Sequence, residues 1–519
     1  MAKKVEHMAA INSKWPPIEW LWTQYRENAA WFSGNEELLK TYTHGFWKDG
    51  GLHKVHLPIA SDIATLSSGL LFSGSPTIKS DDPRTDERLQ EILTNTGIYQ
   101  ILLTAAKLQS VYGGVFLKLN WNVDILPHPI VTVIPADQGL AEYKHGVLTG
   151  VQFWAEIKYD EYTGDVWRFA EHYTNDGGIT ASLYRGTREN LGNQVPLSSI
   201  EETEDVAESI TSGVNMLLAT YIPNKMPNQD MPHSMYGNSD YQGILGMFSA
   251  LDEVYSSLVR DVRLGKTRII VPLEFLRRKQ TLIETANSSE ASRWVFDSND
   301  ETFVTLDINP QDNGAGITTV QPEVRSAPLL EIANDLIRRI YIMAGYSPQS
   351  AGIDITGMAE SGTALNVRER RSLQTTEAKK TYWWHALNNI IKALIALDKA
   401  VFFTNIKPES NITVSFADNS QPDMQTVAST VQMLSSSGAI STEEKVVLLH
   451  PDWDEDKQAI EVLRIKQSWN ELLAGQGAAA VNPWELRKYL FDEDEAQAKA
   501  NLPDAETLVQ DISPDSGEV

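Results

Sequence analysis

The chain has 519 residues, too many for one simple core, and its hydrophobic (42%) and charged (22%) fractions are those of an ordinary folded protein. Lys+Arg total 44 and Asp+Glu 69, so the net charge is 44 − 69 = −25. That balance argues against a protein that grips a nucleic-acid backbone with most of its surface, because such binding usually needs a basic excess. The absence of cysteine excludes disulfides, Cys-ligated zinc and thiol nucleophiles.

No targeting or membrane segment is predicted. The N-terminus lacks the apolar core of a signal peptide. The best apolar stretch, residues 386–397, contains Lys392 and is too short to span a bilayer. We therefore expect a soluble chain without a membrane anchor.

The first half of the chain alternates between helix and strand patterns. Apolar residues at helical spacing predict helices over residues 57–71 and 84–108, the second interrupted by Gly97. Short alternating runs bounded by Gly and Pro predict strands within 111–135 and 150–186, and the acidic run 201–208 reads as a solvated insertion. Clustered tryptophans near the start indicate packing more than a ligand cage: Trp15, Trp20, Trp22, Trp31 and Trp47.

After a loop-like stretch, 221–237, a helix is predicted from Ser239, because Gln242 three residues later forms a capping-box pattern. Gly265 ends this helix. Its apolar stripe follows a 4-3-4-3-4 spacing: Ile244, Phe248, Leu251, Tyr255, Leu258 and Val262. Charged residues lie off the stripe: Asp252, Glu253, Arg260, Asp261 and Arg263.

Residues 268–325 mix four strand-like pieces (RIIVP, WVF, FVTLDI and GITTVQ) with a small helical one. Fewer than about 60 residues make a weak independent core, so neighbours should complete it. A second helix is predicted from Ser326, with Pro328 in its first turn and Gly345 at its end. Its stripe is Leu329, Ile332, Leu336, Ile340 and Met343.

A glycine-containing loop, 347–361, separates this helix from a very long one over about 362–401. At 1.5 Å per residue the long helix would span roughly 60 Å. One more strand is predicted within 408–418, and the chain reads as helical from 422 onward, apart from a disordered acidic tail at 506–519. The fold class is therefore α+β and predominantly helical.

Motifs that could carry chemistry fail on inspection. Gly265-Lys266-Thr267 lacks the upstream glycine of a phosphate-binding loop. Asp452, Asp454 and Asp456 lack the glycine and final glutamate of a calcium loop and fit the acidic start of a helix better. His53 and His56 lack a third ligand at sensible spacing. We predict no catalytic residues, no metal site and no cofactor.

A basic stretch opens the long helix at Arg368, Arg370 and Arg371, joined by Lys379 and Lys380. Two interpretations stand. The stretch could contact phosphates, or it could be a solvated face paired with Glu369 and Glu377 on the same helix, which the spacing favours.

The order of these segments resembles the tailed-bacteriophage portal protein family over nearly the whole chain. The resemblance is strongest at NSDYQGILGMFSALDEVYSSLVRD, LIRRIYIMAGYSPQSAG and AESGTALNVRERRSL. LPIASDIATLSSGLLFSGSPTI is similar to the family's wing, and SSSGAISTEEKVVLLHPDWDEDKQAIEVLRIKQ to its crown. No single motif is decisive, so the ordered set carries the resemblance.

The resemblance implies a portal fold with named parts. These are a mixed α/β wing (1–238), two stem helices (239–267 and 326–346), a clip between them (268–325), a tunnel loop (347–361), a long helix with the wing's return strand (362–418) and a helical crown (419–505). Stem-packing residues would be Ile244, Phe248, Leu251, Tyr255, Leu258, Leu336 and Ile340.

The tunnel loop is the part that the resemblance places against DNA. Its flanking glycines allow it to follow a moving duplex, and its tip has two acids but no Lys or Arg. It should therefore touch DNA without holding phosphates. An ordinary connector between helices is the alternative for this loop. The DNA-facing residues would be Gln349, Ser350, Gly352, Ile353, Asp354, Ile355, Thr356, Gly357, Met358 and Glu360.

The resemblance further implies a homo-oligomeric, dodecameric ring at one capsid vertex of the virion, made in the host cytoplasm. Double-stranded DNA would pass through it during genome packaging and ejection. The terminase large subunit and then head-completion or adaptor proteins would dock on it, and the major capsid and scaffolding proteins would surround it. About twelve copies would carry roughly −300 charges, a field that repels phosphate over about a Debye length.

Two alternatives remain open. The chain could be another virion structural or connector protein without a DNA channel; the helix–insertion–helix–loop order, which a capsid shell does not need, discriminates against it. A soluble hydrolase with an unrecognised site is the other.

Overall fold

The computed structural model describes residues 15–48, 54–265, 268–270, 318–320, 325–353, 362–416, 424–450, 453 and 455–474. The chain forms two compact units, Met1–Asn419 and Ser420–Val519. Helices of the first unit are α1 Glu19–Ser33, α2 Glu36–Tyr42, α3 Ile59–Leu71, α4 Pro83–Thr96, α5 Ile98–Tyr112, α6 Leu245–Leu264, α7 Ser326–Ala344 and α8 Gly362–Phe402. Those of the second are α9 Met424–Ser436, α10 Thr442–Leu449 and α11 Glu455–Ala474.

All thirteen strands of the described residues belong to the first unit. They are β1 Thr77–Ser80, β2 Gly114–Asn120, β3 Ile130–Pro135, β4 Gly139–Lys144, β5 Val147–Tyr159, β6 Val166–Thr174, β7 Gly178–Gly186, β8 Asn193–Val195, β9 Ser209–Thr211, β10 Ala219–Pro223, β11 Arg268–Ile270, β12 Thr318–Val320 and β13 Ile412–Ser415. The chain is thus mixed α/β and rich in helix, in line with the predicted class.

Every strand pairing is antiparallel. Six strands form one sheet in the order β4-β5-β6-β7-β8, with β9 also pairing β7, and three form another in the order β10-β2-β3. β5 and β6 form a hairpin whose turn contains Thr163 and Gly164. β11 pairs β12, with Arg268 opposite Val320, so the two ends of the inter-helix insertion meet. The insertion's WVF and FVTLDI pieces and its small helical piece lie outside the described residues.

Helix boundaries follow local chemistry. Asp82 caps α4, its carboxylate accepting the Thr85 amide at 3.1 Å, and Pro83 occupies the first turn. Gly97 ends α4 and begins α5 with φ +64°, a left-handed conformation that glycine adopts without strain. The predicted interruption at Gly97 is confirmed.

The predicted long helix is confirmed as α8, a 41-residue element. Its C-terminal half is the centre of the main core, since a face of large apolar residues there packs with α5, β2 and β10: Trp383, Leu387, Ile390, Ile391 and Leu394. The predicted packing role of the tryptophans is also confirmed. Trp15, Trp22, Trp31 and Trp47 are buried, and Trp20 packs against the core.

Two boundary predictions were wrong. The stretch predicted as a loop from Tyr221 begins as strand, because Tyr221 to Pro223 complete β10 against β2. The capping box at Ser239 does not form, and α6 starts only at Leu245. Ser239 Oγ instead donates to the Ser110 carbonyl (3.0 Å) and accepts the Tyr241 amide (3.0 Å), which makes a turn that directs Asp240 inward.

Candidate functional site

The two helices on either side of the insertion lie side by side and run antiparallel. Arg325, just before α7, pairs with Asp261 near the end of α6 at 2.9 Å. At the opposite ends, the Tyr346 hydroxyl, just after α7, donates to Asp240, which precedes α6, at 3.0 Å. The helices therefore form one hairpin-like pair, closed at one end by β11–β12.

The predicted apolar stripe of α6 is buried only in its first half. Ile244, Phe248 and Leu251 are buried, whereas Tyr255 and Leu258 are half-buried and Val262 is 57% exposed. The packing of this stripe weakens toward the insertion, so the single chain leaves part of it uncovered.

On α7 the predicted stripe was partly wrong. Ile340 is buried and Leu336 half-buried as expected, but Ile332 and Met343 are each 50% exposed. The buried positions beside Ile340 are Ala333, Tyr341 and Ala344. The small alanines allow the helix to approach its neighbours closely. The buried face of α7 is therefore shifted by about one residue from the predicted stripe, with Ala333 buried in place of Ile332 and Ala344 in place of Met343.

Asp252 was expected on the solvated side of α6, and that was wrong. Its carboxylate is buried and accepts Trp47 Nε1 (3.0 Å), the Leu57 amide (2.9 Å) and His56 Nδ1 (2.8 Å). Asp252 therefore fastens α6 to Trp47, His56 and Leu57. His56 is engaged with a carboxylate, and His53 lies outside the described residues.

A largely buried cluster, here called the junction, joins the start of α6 and the end of α7, the inner ends of the helix pair, to the rest of the unit. It consists of Ser67 on α3, Ser110 on α5, Tyr346, Lys379 on α8, and the pair Lys225 and Asp240. The Asp240 carboxylate accepts Ser110 Oγ (2.6 Å), Lys379 Nζ (2.7 Å) and Lys225 Nζ (2.8 Å), besides the Tyr346 hydroxyl. Asn224 Nδ2 donates to it as well, at 2.9 Å.

Lys379 is matched to this cluster in geometry and charge. Its ammonium donates to Ser67 Oγ (2.8 Å), Asp240 and the Tyr346 oxygen (2.9 Å), so all three of its protons have acceptors. Burial lowers the pKa of Lys379 to about 8, opposed by the charge of Asp240. Burial alone would raise the pKa of Asp240, but Lys225 and Lys379 hold it well below its usual range.

The first residues of the predicted tunnel loop rest on α8. The Gly345 carbonyl accepts Thr375 Oγ1 (2.6 Å), and the Ser347 amide donates to Ser372 Oγ (2.7 Å). Residues 349–351 form a 3-10 turn closed by Gly352, whose φ is +74°. Gly352 is exposed, whereas Gln349, Ser350 and Ile353 are half-buried. The remaining predicted DNA-facing residues lie outside the described part: Asp354, Ile355, Thr356, Gly357, Met358 and Glu360.

The basic stretch of α8 divides in two. Arg370 and Arg371 are exposed, and the side chain of Arg368 is outside the described part. Lys380 pairs with Glu377 at 2.7 Å, but its side chain is only 10% exposed, so the solvated-face interpretation holds for the ion pair and not for the exposure of Lys380. For Lys379 both interpretations were wrong, because it is only 2% exposed and belongs to the junction.

Sequence signals for these buried charges existed but were weak. Lys379 is four residues before Trp383, on the apolar face of α8, and Asp252 is four residues after Phe248 on α6. A charged residue in register with an apolar face is a candidate for a buried ion pair. The position of its partner, more than a hundred residues away in the chain, has no local signal.

Among the described residues no group of His, Asp and Glu could hold a metal ion. α6 runs unbroken through Arg260 to Leu264, where a phosphate-binding loop would need an upstream glycine. Asp456 lies in the first turn of α11, while Asp452 and Asp454 fall outside the described part. No described helix combines the length and apolar character that crossing a bilayer requires.

The fold defines a mixed α/β protein in which an antiparallel helix pair and a 41-residue helix meet at a buried ionic cluster. The chain belongs to the phage portal protein family, because the family profile described as phage portal protein, SPP1 Gp6-like, matches residues 22–468. This confirms the resemblance drawn from the sequence. Portal proteins are virion components at the connector between head and tail.

The solved structures that align with this chain include chains of gene transfer agent (GTA) particles. A chain in the virion of a native GTA particle aligns with 12% identity and a TM-score of 0.43, covering 85% of this chain and 96% of its own. A chain in the neck of the native particle, computed with C12 symmetry, aligns with 12% identity and a TM-score of 0.40 over the same shares. No curated protein matches the sequence.

Proposed function

We propose that this chain is one subunit of a portal ring, dodecameric as the family resemblance implies, at a single capsid vertex of the virion. The ring forms the channel through which double-stranded DNA is packaged and ejected. The observation that carries the proposal is the α6–α7 pair, which a portal stem requires and which leaves apolar side chains uncovered in one chain.

Those uncovered side chains occur on both helices: Val262, Leu264, Leu330, Ile332, Ile342 and Met343. Exposed apolar side chains repeated along a helix pair suit burial against neighbouring subunits. The side-by-side packing of α6 and α7 also disfavours the alternative of a connector protein without a channel, for which these helices would have no need to pair.

The other assignments follow the order of the elements. Residues 1–238 form the wing, α6 and α7 the stem, and 268–325 the clip that receives the terminase large subunit and later the adaptor or head-completion protein. Residues 347–361 form the tunnel loop, and 419–505 the crown inside the head. Major capsid and scaffolding proteins surround the wing. The chain does no chemistry of its own, and its net charge of −25 suits a channel that binds passing DNA poorly.

The ring is tested by imaging purified protein with symmetry analysis, which should show rings with a central hole. Ile332→Glu should abolish those rings, because it places a charge where neighbouring subunits bury an apolar side chain. Asn334→Glu, at an exposed polar position on the same helix, adds the same charge and should leave rings intact. A monomer at all concentrations, or rings that tolerate Ile332→Glu, would contradict this assignment of the stem.

The loop is tested by deleting residues 352–357. Rings should still assemble, because the stem contacts are untouched, but DNA packaging or retention should fall. The measurement is the length of DNA protected from nuclease in assembled particles. Normal packaging by such rings would contradict the assignment of this loop as the DNA-facing one.

A further inference from the structure

The end of α7 is attached to α8 residue by residue. Thr375 Oγ1 donates to the Gly345 carbonyl, Lys379 Nζ donates to the Tyr346 oxygen, and Ser372 Oγ accepts the Ser347 amide. Three polar side chains at a 3-4 spacing on one face of α8 thus hold three consecutive residues. Lys225 Nζ adds a bond to the carbonyl of Ala344, the last residue of α7, at 2.6 Å.

The same attachment includes the start of α6. Asp240, five residues before α6 begins at Leu245, is bonded to Lys379 and to Tyr346 at once. Its own amide donates to the Ser110 carbonyl on α5 at 2.9 Å. Both inner ends of the helix pair therefore meet on a single ammonium group of the long helix.

The attachment continues into the first turn beyond α7. Ser350 Oγ lies 2.9 Å from Ser372 Oγ, and the Ile353 amide donates to the Pro348 carbonyl at 3.1 Å. Ile353 itself packs against the cluster that contains Phe248 and Ile340. Residues 345–353, here called the loop root, are fixed along their length before the chain continues.

We propose that Ser372, Thr375 and Lys379 are positioning residues that fasten the loop root and both inner stem ends to the long helix, so that these parts move as one body. A displacement of α8 would then displace the loop root and the stem together. This coupling of α8, the loop root and the stem acts within one chain. Its meaning for DNA passage rests on the proposed function of the loop.

A purely stabilising role is the competing account, and the chemistry of the cluster argues against it as sufficient. A buried ion pair contributes little net stability over a well-packed apolar group, because both charges must be desolvated. What such a pair provides is a defined geometry, since Lys379 has three acceptors at fixed positions and Asp240 has five donors. Fixed geometry at the point where two helices and a loop meet is the property that positioning needs.

Hydrogen–deuterium exchange of the full chain tests the proposal at peptides covering residues 340–353, read beside the melting temperature. Ser372→Ala combined with Thr375→Val should raise exchange at the loop root about ten-fold, including at Ile353, whose bond these changes do not touch. Lys379→Met combined with Asp240→Asn, which leaves no unpaired charge between the two, should raise exchange there and at residues 239–248. Peptides from β5 and β6 should not change in either variant.

Two matched controls keep the result specific. Thr381→Val removes an exposed threonine hydroxyl bonded to a carbonyl of its own helix, and Lys399→Met removes an exposed charge from the same helix. Neither should alter exchange at the loop root. Whatever the melting temperatures of the two double variants, positioning predicts raised exchange at the loop root even in a variant that melts at the wild-type temperature.

Unchanged exchange at Ile353 in both double variants would overturn the proposal. So would a rise in β5 and β6 equal to that at the loop root, since this would mark general destabilisation. The exchange pattern is read whether or not rings form. Absence of rings together with the expected pattern would therefore contradict the proposed function and leave the positioning role standing.

Discussion

Replacing Asp252 with alanine should destabilise the first unit by about 3–5 kcal/mol, the range for removing one partner of a buried charged network. The carboxylate is 1% exposed and accepts three hydrogen bonds, from Trp47, His56 and Leu57. Alanine would leave the Trp47 indole and the Leu57 amide buried without an acceptor, and each such group costs about 1–3 kcal/mol. The Val55 amide, which donates to Ser256 Oγ at 2.8 Å, still links this segment to α6, but that bond does not replace the lost acceptors.

For a unit of this size, such a loss corresponds to a fall of roughly 5 °C in melting temperature. The measurement is thermal unfolding followed by circular dichroism at neutral pH. Asp252→Asn keeps one carbonyl acceptor, so its melting temperature should lie between those of the wild type and Asp252→Ala. Glu253→Ala, at the next and exposed position of α6, is the control and should change little. If Asp252→Ala had the same melting temperature as Glu253→Ala, the Asp252 carboxylate would not fasten α6.

Two further predictions concern a buried acid and a tight turn. Burial raises the pKa of Asp137 to about 6, and its Oδ1 has no hydrogen-bond partner. The folded state therefore holds a proton that the unfolded state releases near pH 4, so stability should fall as pH rises from about 4 to 6. Asp137→Asn should flatten the pH dependence of the free energy of unfolding and raise that free energy by roughly 2 kcal/mol at pH 7.5, measured by urea unfolding. If the variant kept the wild-type pH dependence, Asp137 would not be its source. Gly113→Ala should cost about 3 kcal/mol or more, because φ is +79° and a Cβ would meet the Gly237 carbonyl oxygen at 2.6 Å. Gly146→Ala, with φ +81° and open space around it, should cost only about 1 kcal/mol in the same unfolding assay, and equal losses would show that the close backbone approach is unimportant.

The long helices could be predicted because their signal is repeated. α8 and α7 carry apolar residues at helical spacing over many turns, and Gly345 stops α7 in the left-handed conformation that favours glycine. The order of elements was enough to suggest the portal family, which the profile match then confirmed.

Single residues with several partners could not be predicted in the same way. Ser239 and Gln242 match a capping box, but Ser239 bonds Ser110 of another helix and the helix begins six residues later, at Leu245. Local spacing cannot register a partner that tertiary packing supplies. Lys379 failed for the same reason, since the carboxylate that permits its burial lies 139 positions away.

The pairing of β1 with β13 bears on when the chain can fold. Thr77 to Ser80 lie opposite Ser415 to Ile412, and Asn411 bonds Asp81 across 330 positions of sequence. At about 5–20 residues per second, a ribosome needs roughly 20 to 70 seconds to make the intervening stretch. β1 therefore waits, without its only partner among the described strands, until Ser415 has been synthesised. A nascent chain thus cannot complete the fold of this unit early, so any docking of subunits through the completed unit must come after β13 has been made.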